Sequence, residues 1–134
     1  DDAFDRARIR KAMADLDWLD PVAMARSAGF LAEAEQVVEH SVRDVVRSLI
    51  WRDGCCYFSM GYPRLIEIGV VEYILDRLGA TGARRSEVAR MVDRLRAREN
   101  ASLGGVLARR ERVETGPGSS SDSVRFEKEP PRRA

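Results

Sequence analysis

Few residues in this chain are of types that perform chemistry, and their spacing does little with them. His40 is the single histidine, and Cys55 and Cys56 are the two cysteines of the 134 residues. A disulfide between adjacent cysteines closes a small ring that strains the intervening peptide, so reduced thiols are expected. Two neighbouring thiols and one distant histidine also lack the CxxC or HxxxH spacing of a zinc set, so no metal site is expected. Asp15, Asp17 and Asp20 form an acidic trio, but on a helix they point in different directions, and a solvated or arginine-paired edge is the expectation. No nucleophile, base and orienting group recur at a recognisable spacing, and no glycine-rich phosphate loop is present. The chain therefore reads as non-enzymatic, with no catalytic residue and no cofactor. What remains is ionic chemistry. Arg90, Arg94 and Arg98 recur at four-residue steps, and with Arg85 they are the candidate partner-binding residues, a row of guanidinium groups suited to an anionic surface.

The charge around these arginines is unevenly placed. Formal charge is +1 overall, yet residues 1–40 hold nine acids against five bases, while 63–112 hold eleven arginines against seven acids. Such asymmetry suits an acidic part docking on a basic part, in the same chain or a second copy, or a basic face kept for an anionic partner. Arginine supplies 21 of the 23 basic residues, a bias that by itself assigns no chemistry.

The elements that must position the arginines follow from apolar periodicity. Leu65, Ile68, Val71, Leu75 and Leu78, widened by Ile66, Val70 and Ile74, predict a helix with a broad apolar face. Pro63 suits its first turn, and Gly79 suits the left-handed position past its end. A helix over 84–100 would bury Val88, Met91, Val92 and Leu95 and turn the arginine row outward, with Asp93 pairing to Arg90 and Arg96. Upstream, 3–19 reads as a first helix. Asp20-Pro21 is a helix start that would run to a stop at Gly29. A long helix over 31–51 then carries Val38, Val42, Val45 and Leu49 toward the Pro63 helix in an antiparallel pair.

Between the two long helices lies RDGCCYFSMGYP, opened by an Asp53-Gly54 turn. Cys56, Tyr57 and Phe58 have strand composition, but a lone strand is not stable in water. The segment at 53–62 is therefore expected as a short irregular or extended piece. Its aromatics Tyr57, Phe58 and Tyr62 either plug the core or line a small-ligand pocket. Gly104-Gly105 interrupts a possible short helix, and GPGSSSDS at 116–123 has flexible-linker composition. The expectation is all-α: a compact bundle of four or five helices over 1–113, with a disordered, flexible C-terminal tail over 114–134.

The run Leu75-Asp76-Arg77-Leu78, then Thr81-Gly82-Ala83-Arg84-Arg85-Ser86-Glu87-Val88, resembles the helix-to-helix junction of ribbon-helix-helix repressors. That resemblance covers 64–98 and implies a dimeric DNA-binding protein whose strand, here at 64–70, enters the major groove. Leu65 and Glu67 would then face the bases, although that family usually presents basic or amide side chains there.

Two functions fit these readings. One is a non-enzymatic helical binding or assembly subunit that docks to protein partners, or to a second copy, through apolar and arginine-rich helix faces. The alternative is a small dimeric nucleic-acid-binding regulator. The longest uncharged run, ten residues from Gly54 to Pro63, is about half a membrane span. An intracellular, soluble protein with no membrane-spanning helix is expected.

Overall fold

The computed structural model describes residues 2–80 and 82–131. Its elements run α1 (Asp2–Ala14), α2 (Pro21–Val46), β1 (Ile50–Arg52), β2 (Cys55–Phe58), α3 (Arg64–Arg77), α4 (Arg85–Arg96), β3 (Ala101–Leu103), β4 (Val106–Gly116) and β5 (Ser119–Lys128). Asp1, Thr81 and residues 132–134, which the readings of the helical bundle over 1–113, the repressor-like junction and the tail include, lie outside the described residues. No described helix is long and apolar enough to cross a membrane.

The all-α bundle is overturned by a five-stranded antiparallel sheet in the order β1-β2-β5-β4-β3. Its hairpins are built at glycines. Asp53 and Gly54 both take positive φ (54° and 76°) between β1 and β2, and Gly104 and Gly105 do so (59° and 80°) between β3 and β4. Two successive residues with positive φ make the turn whose twist matches paired strands. Gly104-Gly105 thus joins strands where a broken helix was expected. The segment at 53–62 is likewise more regular than expected: β2 pairs with β1 through Trp51 opposite Cys56 and with β5 through Cys56 opposite Phe126.

The disordered tail is overturned by the same pairing. β5 lies in the middle of the sheet between β2 and β4, and its Val124 and Phe126 are fully buried. Cys56, Phe126, Ala108 and Ala101 stand side by side across four strands and form one buried row of the sheet's inner face. One phenylalanine stands among three small side chains in that row, which lets helices approach the sheet closely.

Those helices are α3 and α4. Pro63 caps α3, and Gly79 just past its end has φ +86°, as their residue types require. Ile68, Val71, Ile74 and Leu75 are buried on the face that periodicity marks, whereas Leu65 is 53% exposed. In α4, Val88, Met91, Val92 and Leu95 are all buried. Together with the sheet row these side chains make one core cluster, and each fully buried aliphatic contributes about 1.5–3 kcal/mol.

Residues 64–70, which the ribbon-helix-helix resemblance would extend as a strand, are the first turns of α3. The Gly29 stop is also corrected, because α2 runs through that glycine without ending. A helix-interior glycine costs about 1 kcal/mol, which good helix formers on both sides offset. Asp20 does begin α2 as expected, its Oδ1 accepting from the N–H groups of Val22 (3.0 Å) and Ala23 (3.3 Å).

The chain divides into two compact units, 1–37 and 38–134. The first contains α1 and the opening turns of α2, and none of its described side chains is buried. The second contains the remainder of α2, the sheet, α3 and α4. Within it the antiparallel helix pair is reduced to the last turns of α2, where Val45 is buried and Val42 and Val46 pack against the core. Gly69 makes this approach possible, since a Cβ there would stand 2.6 Å from Val42 Cγ2.

Candidate nucleic-acid interface

The four candidate arginines do not form one helical row, because α4 ends at Arg96 and Arg98 lies beyond it. Arg85 opens α4 with its Nε 3.4 Å from Glu72 Oε1, and Arg94 pairs with Glu99 at 3.1 Å. Arg98 lies beyond the end of α4 at φ 63° and reaches Asp122 at 3.5 Å. Arg90 is exposed and has no ion-pair partner among the described residues. All four remain at the surface, where such pairs are weak and exchange readily with a competing anion.

Asp93 does not bridge Arg90 and Arg96 as expected. It accepts two hydrogen bonds from Arg64 across the helix pair, Nε to Oδ1 at 2.7 Å and Nη2 to Oδ2 at 2.9 Å. That fork holds the Asp93 carboxyl below its ordinary value, chiefly through the hydrogen bond, and raises Arg64 in turn.

Arg96 serves the interior. Glu67 is 1% exposed, and its carboxylate accepts from Arg96 Nη1 and from the Gly61 N–H at 3.0 Å. Arg96 also reaches the Tyr62 carbonyl at 3.4 Å, so a buried carboxylate and a half-exposed guanidinium fix the 59–63 loop against both helices. Arg110 extends the lattice by donating to the Leu95 carbonyl at 2.6 Å and pairing with Asp122 at 3.0 Å. A guanidinium at that place adds a second donor to a carbonyl at the C-terminal end of α4 that already accepts from the Arg98 N–H at 3.0 Å, where the helix dipole favours a cation.

The sheet face turned away from the core carries a second ionic layer. Arg125 lies at its centre, 2.9 Å from Glu127 and 3.5 Å from Glu111, with Cys55 Sγ at 3.6 Å, and Arg109 pairs with the same Glu127. Arg125 is held more firmly charged, first by the hydrogen bond to the Cys55 sulfur. Both cysteines are free and buried. Cys56, on the core side, is pushed up to about 12 by burial and is a packing residue. Among the described residues no group of three or more His, Cys, Asp or Glu side chains converges as a cation site. His40 is exposed beside Asp44 at 3.6 Å.

Of Tyr57, Phe58 and Tyr62, which sequence joins as core plug or pocket lining, only Phe58 belongs to the core. Phe58 is buried and stacks on Tyr62 with ring centroids 6.0 Å apart. All three border a cavity of about 360 Å³ where the β4–β5 hairpin runs on past the end of β2. Spacing alone could not reveal the other wall of that cavity, from Glu111 to Ser123, because 116–123 reads as linker and the residues before it as the end of a short helix.

No protein-family model matches the chain, and no solved structure matches it significantly. The chain is similar to the tRNA(Ile)-lysidine synthase of Novosphingobium aromaticivorans, with 32% identity over 108 residues. The alignment takes in 79% of this chain and 33% of that protein. The chain thus spans about a third of the length of the curated relative it matches.

Proposed function

We propose that this chain is a non-catalytic RNA-binding module that holds a tRNA for a larger modifying enzyme of the tRNA-lysidine kind. The observation that carries the reading is the supply of exposed guanidinium groups left over after the internal ion pairs are made. Arg52, Arg90 and Arg112 are exposed with no ion-pair partner among the described residues, and Arg85, Arg94 and Arg98 are held only by surface pairs. Phosphate is a natural counterion for such groups, because it accepts the two parallel donors of a guanidinium fork. The likeness to tRNA(Ile)-lysidine synthase favours RNA over DNA as the polyanion, since that protein is named for a tRNA. Because the likeness covers only a third of that protein, the proposal concerns binding and leaves the synthetic reaction aside.

A mobility-shift titration of unmodified tRNA tests it, run with the native chain and with Arg90→Gln, Arg94→Gln and Arg98→Gln combined. The expected result is a retarded complex that weakens by roughly tenfold or more in the triple variant, with unchanged circular dichroism. Equal retardation of both proteins would remove the arginines from the interface.

A second reading, docking onto a protein partner, is favoured by exposed apolar side chains within 2–37. Phe4 (70%), Trp18 (78%), Phe30 (65%) and Leu31 (68%) remain in contact with solvent. Large side chains of this kind cluster at protein contacts. Replacing Trp18 and Phe30 together with Ser should then abolish co-purification of a protein partner while leaving tRNA retardation unchanged.

A further inference from the structure

The cavity beyond the end of β2, lined by residues from both faces of the sheet, is built by a mismatch of strand lengths. The last β2–β5 pair is Phe58 opposite Val124, whereas β4 and β5 stay paired as far as Gly116 opposite Ser119. Beyond Phe58, β5 therefore has no β2 neighbour. The space of about 360 Å³ is walled by the hairpin on one side and by Ser48, Leu49 and Tyr62 on the other. That volume lies within the ~300–1,000 Å³ typical of small-ligand sites, so it admits one nucleoside and excludes a paired helix.

Its lining has three kinds of group. Tyr57 is half-buried, and Tyr62 is 38% exposed with its ring steadied by Phe58. Aromatic rings so held are stacking platforms at little entropic cost. Arg52 and Arg112 border the same space with no ion-pair partner among the described residues, and Glu114 there also lacks one. Two free guanidinium groups suit a phosphate, and a free carboxylate accepts from the N–H groups on a base edge. The Ser59 and Ser123 hydroxyls, 3.2 Å apart, bond to each other in its lining.

We infer that this cavity binds one unstacked nucleotide of single-stranded RNA, its base against Tyr57 and Tyr62 and its phosphate between Arg52 and Arg112. The inference rests on the RNA-binding reading and adds to it the strandedness of the target and the place where a base enters. Recognition of single strands by splayed bases on aromatic side chains follows from the physics of RNA, whose paired form keeps its major groove too deep and narrow for side chains to read.

The test uses the full chain labelled with nitrogen-15, titrated with uridine 5′-monophosphate, together with anisotropy of a fluorescein-labelled uridine heptamer and of a self-paired RNA hairpin. The expected result is amide shifts confined to the cavity walls, around Tyr57, Tyr62, Arg112 and Ser121. The heptamer should bind, and its affinity should fall roughly five- to hundredfold in Tyr62→Ala. Tyr62→Phe should retain affinity, and Arg112→Gln should weaken the heptamer while thermal melting stays unchanged. If tRNA and hairpin bind but the monophosphate moves no cavity amide and Tyr62→Ala binds the heptamer normally, the cavity assignment is overturned and the RNA-binding reading stands. If no RNA is bound at all and the cavity amides remain still, both are overturned.

Discussion

Glu67 shows at the scale of one residue how a charge can anchor a fold. Its carboxylate is buried and satisfied by Arg96 and the Gly61 N–H, so removing Arg96 strands a charge away from water. Arg96→Ala should destabilise the chain by about 3 kcal/mol, the lower end of what a broken buried pair costs, because the arginine itself is half-exposed. Urea titration checks this, and a change below about 0.5 kcal/mol would place Glu67 in contact with water. The sequence does not disclose such a residue. A glutamate on a helix reads as a solvated position, and its partner lies 29 residues on. The apolar positions were plainer, because Ile68, Val71, Leu75, Val88, Met91 and Leu95 repeat at helical steps and all are buried.

Cys56 supplies a pH signature at the same scale. Burial raises its folded value from 9.0 to about 12, so the folded state keeps a proton that the unfolded chain releases first. The associated stability is complete below about 9 and is lost as pH rises toward about 12. Unfolding midpoints in urea should therefore fall across that window, and Cys56→Ala should flatten the decline. Iodoacetamide at pH 8 should leave Cys56 unmodified until the protein is unfolded, because the thiolate is the nucleophile.

Among the elements, the helices were legible and the sheet was not. α3 and α4 each carry their own apolar stripe, whereas β2 draws its stability from β5, whose Phe126 lies opposite Cys56. That partner reads as a linker because Gly116, Pro117, Gly118 and the serines after them dominate the local composition, while Val124 and Phe126 are only two apolar residues on one face. Deleting residues 119–134 should consequently abolish cooperative unfolding, since it removes a central strand and two fully buried side chains. A truncated chain that melts like the whole one would show β5 to be dispensable. The contact between α2 and α3 gives a finer test. Gly69→Ala pushes a methyl group toward Val42 Cγ2 and should cost about 1–3 kcal/mol from overpacking, less the gain of about 1 kcal/mol in helix propensity. Val42→Ala in the same chain should relieve the clash, so the two changes combined should cost less than their sum.

At the scale of the whole molecule, the arginines divide by task. Arg64, Arg96, Arg110 and Arg125 hold elements together through named acids and carbonyls. Arg52, Arg90 and Arg112 have no such duty among the described residues. Counting charges could not make that division, because it depends on strands unseen in the sequence. The most direct measurement is the affinity of the full chain for unmodified tRNA across a salt series, repeated with Arg52→Gln, Arg90→Gln and Arg112→Gln combined. The account predicts affinity that falls steeply with salt, and a slope flattened in the triple variant by about two to three, the release expected for three phosphate contacts. Binding that is absent at low salt, or a slope that the three substitutions leave unchanged, would contradict it.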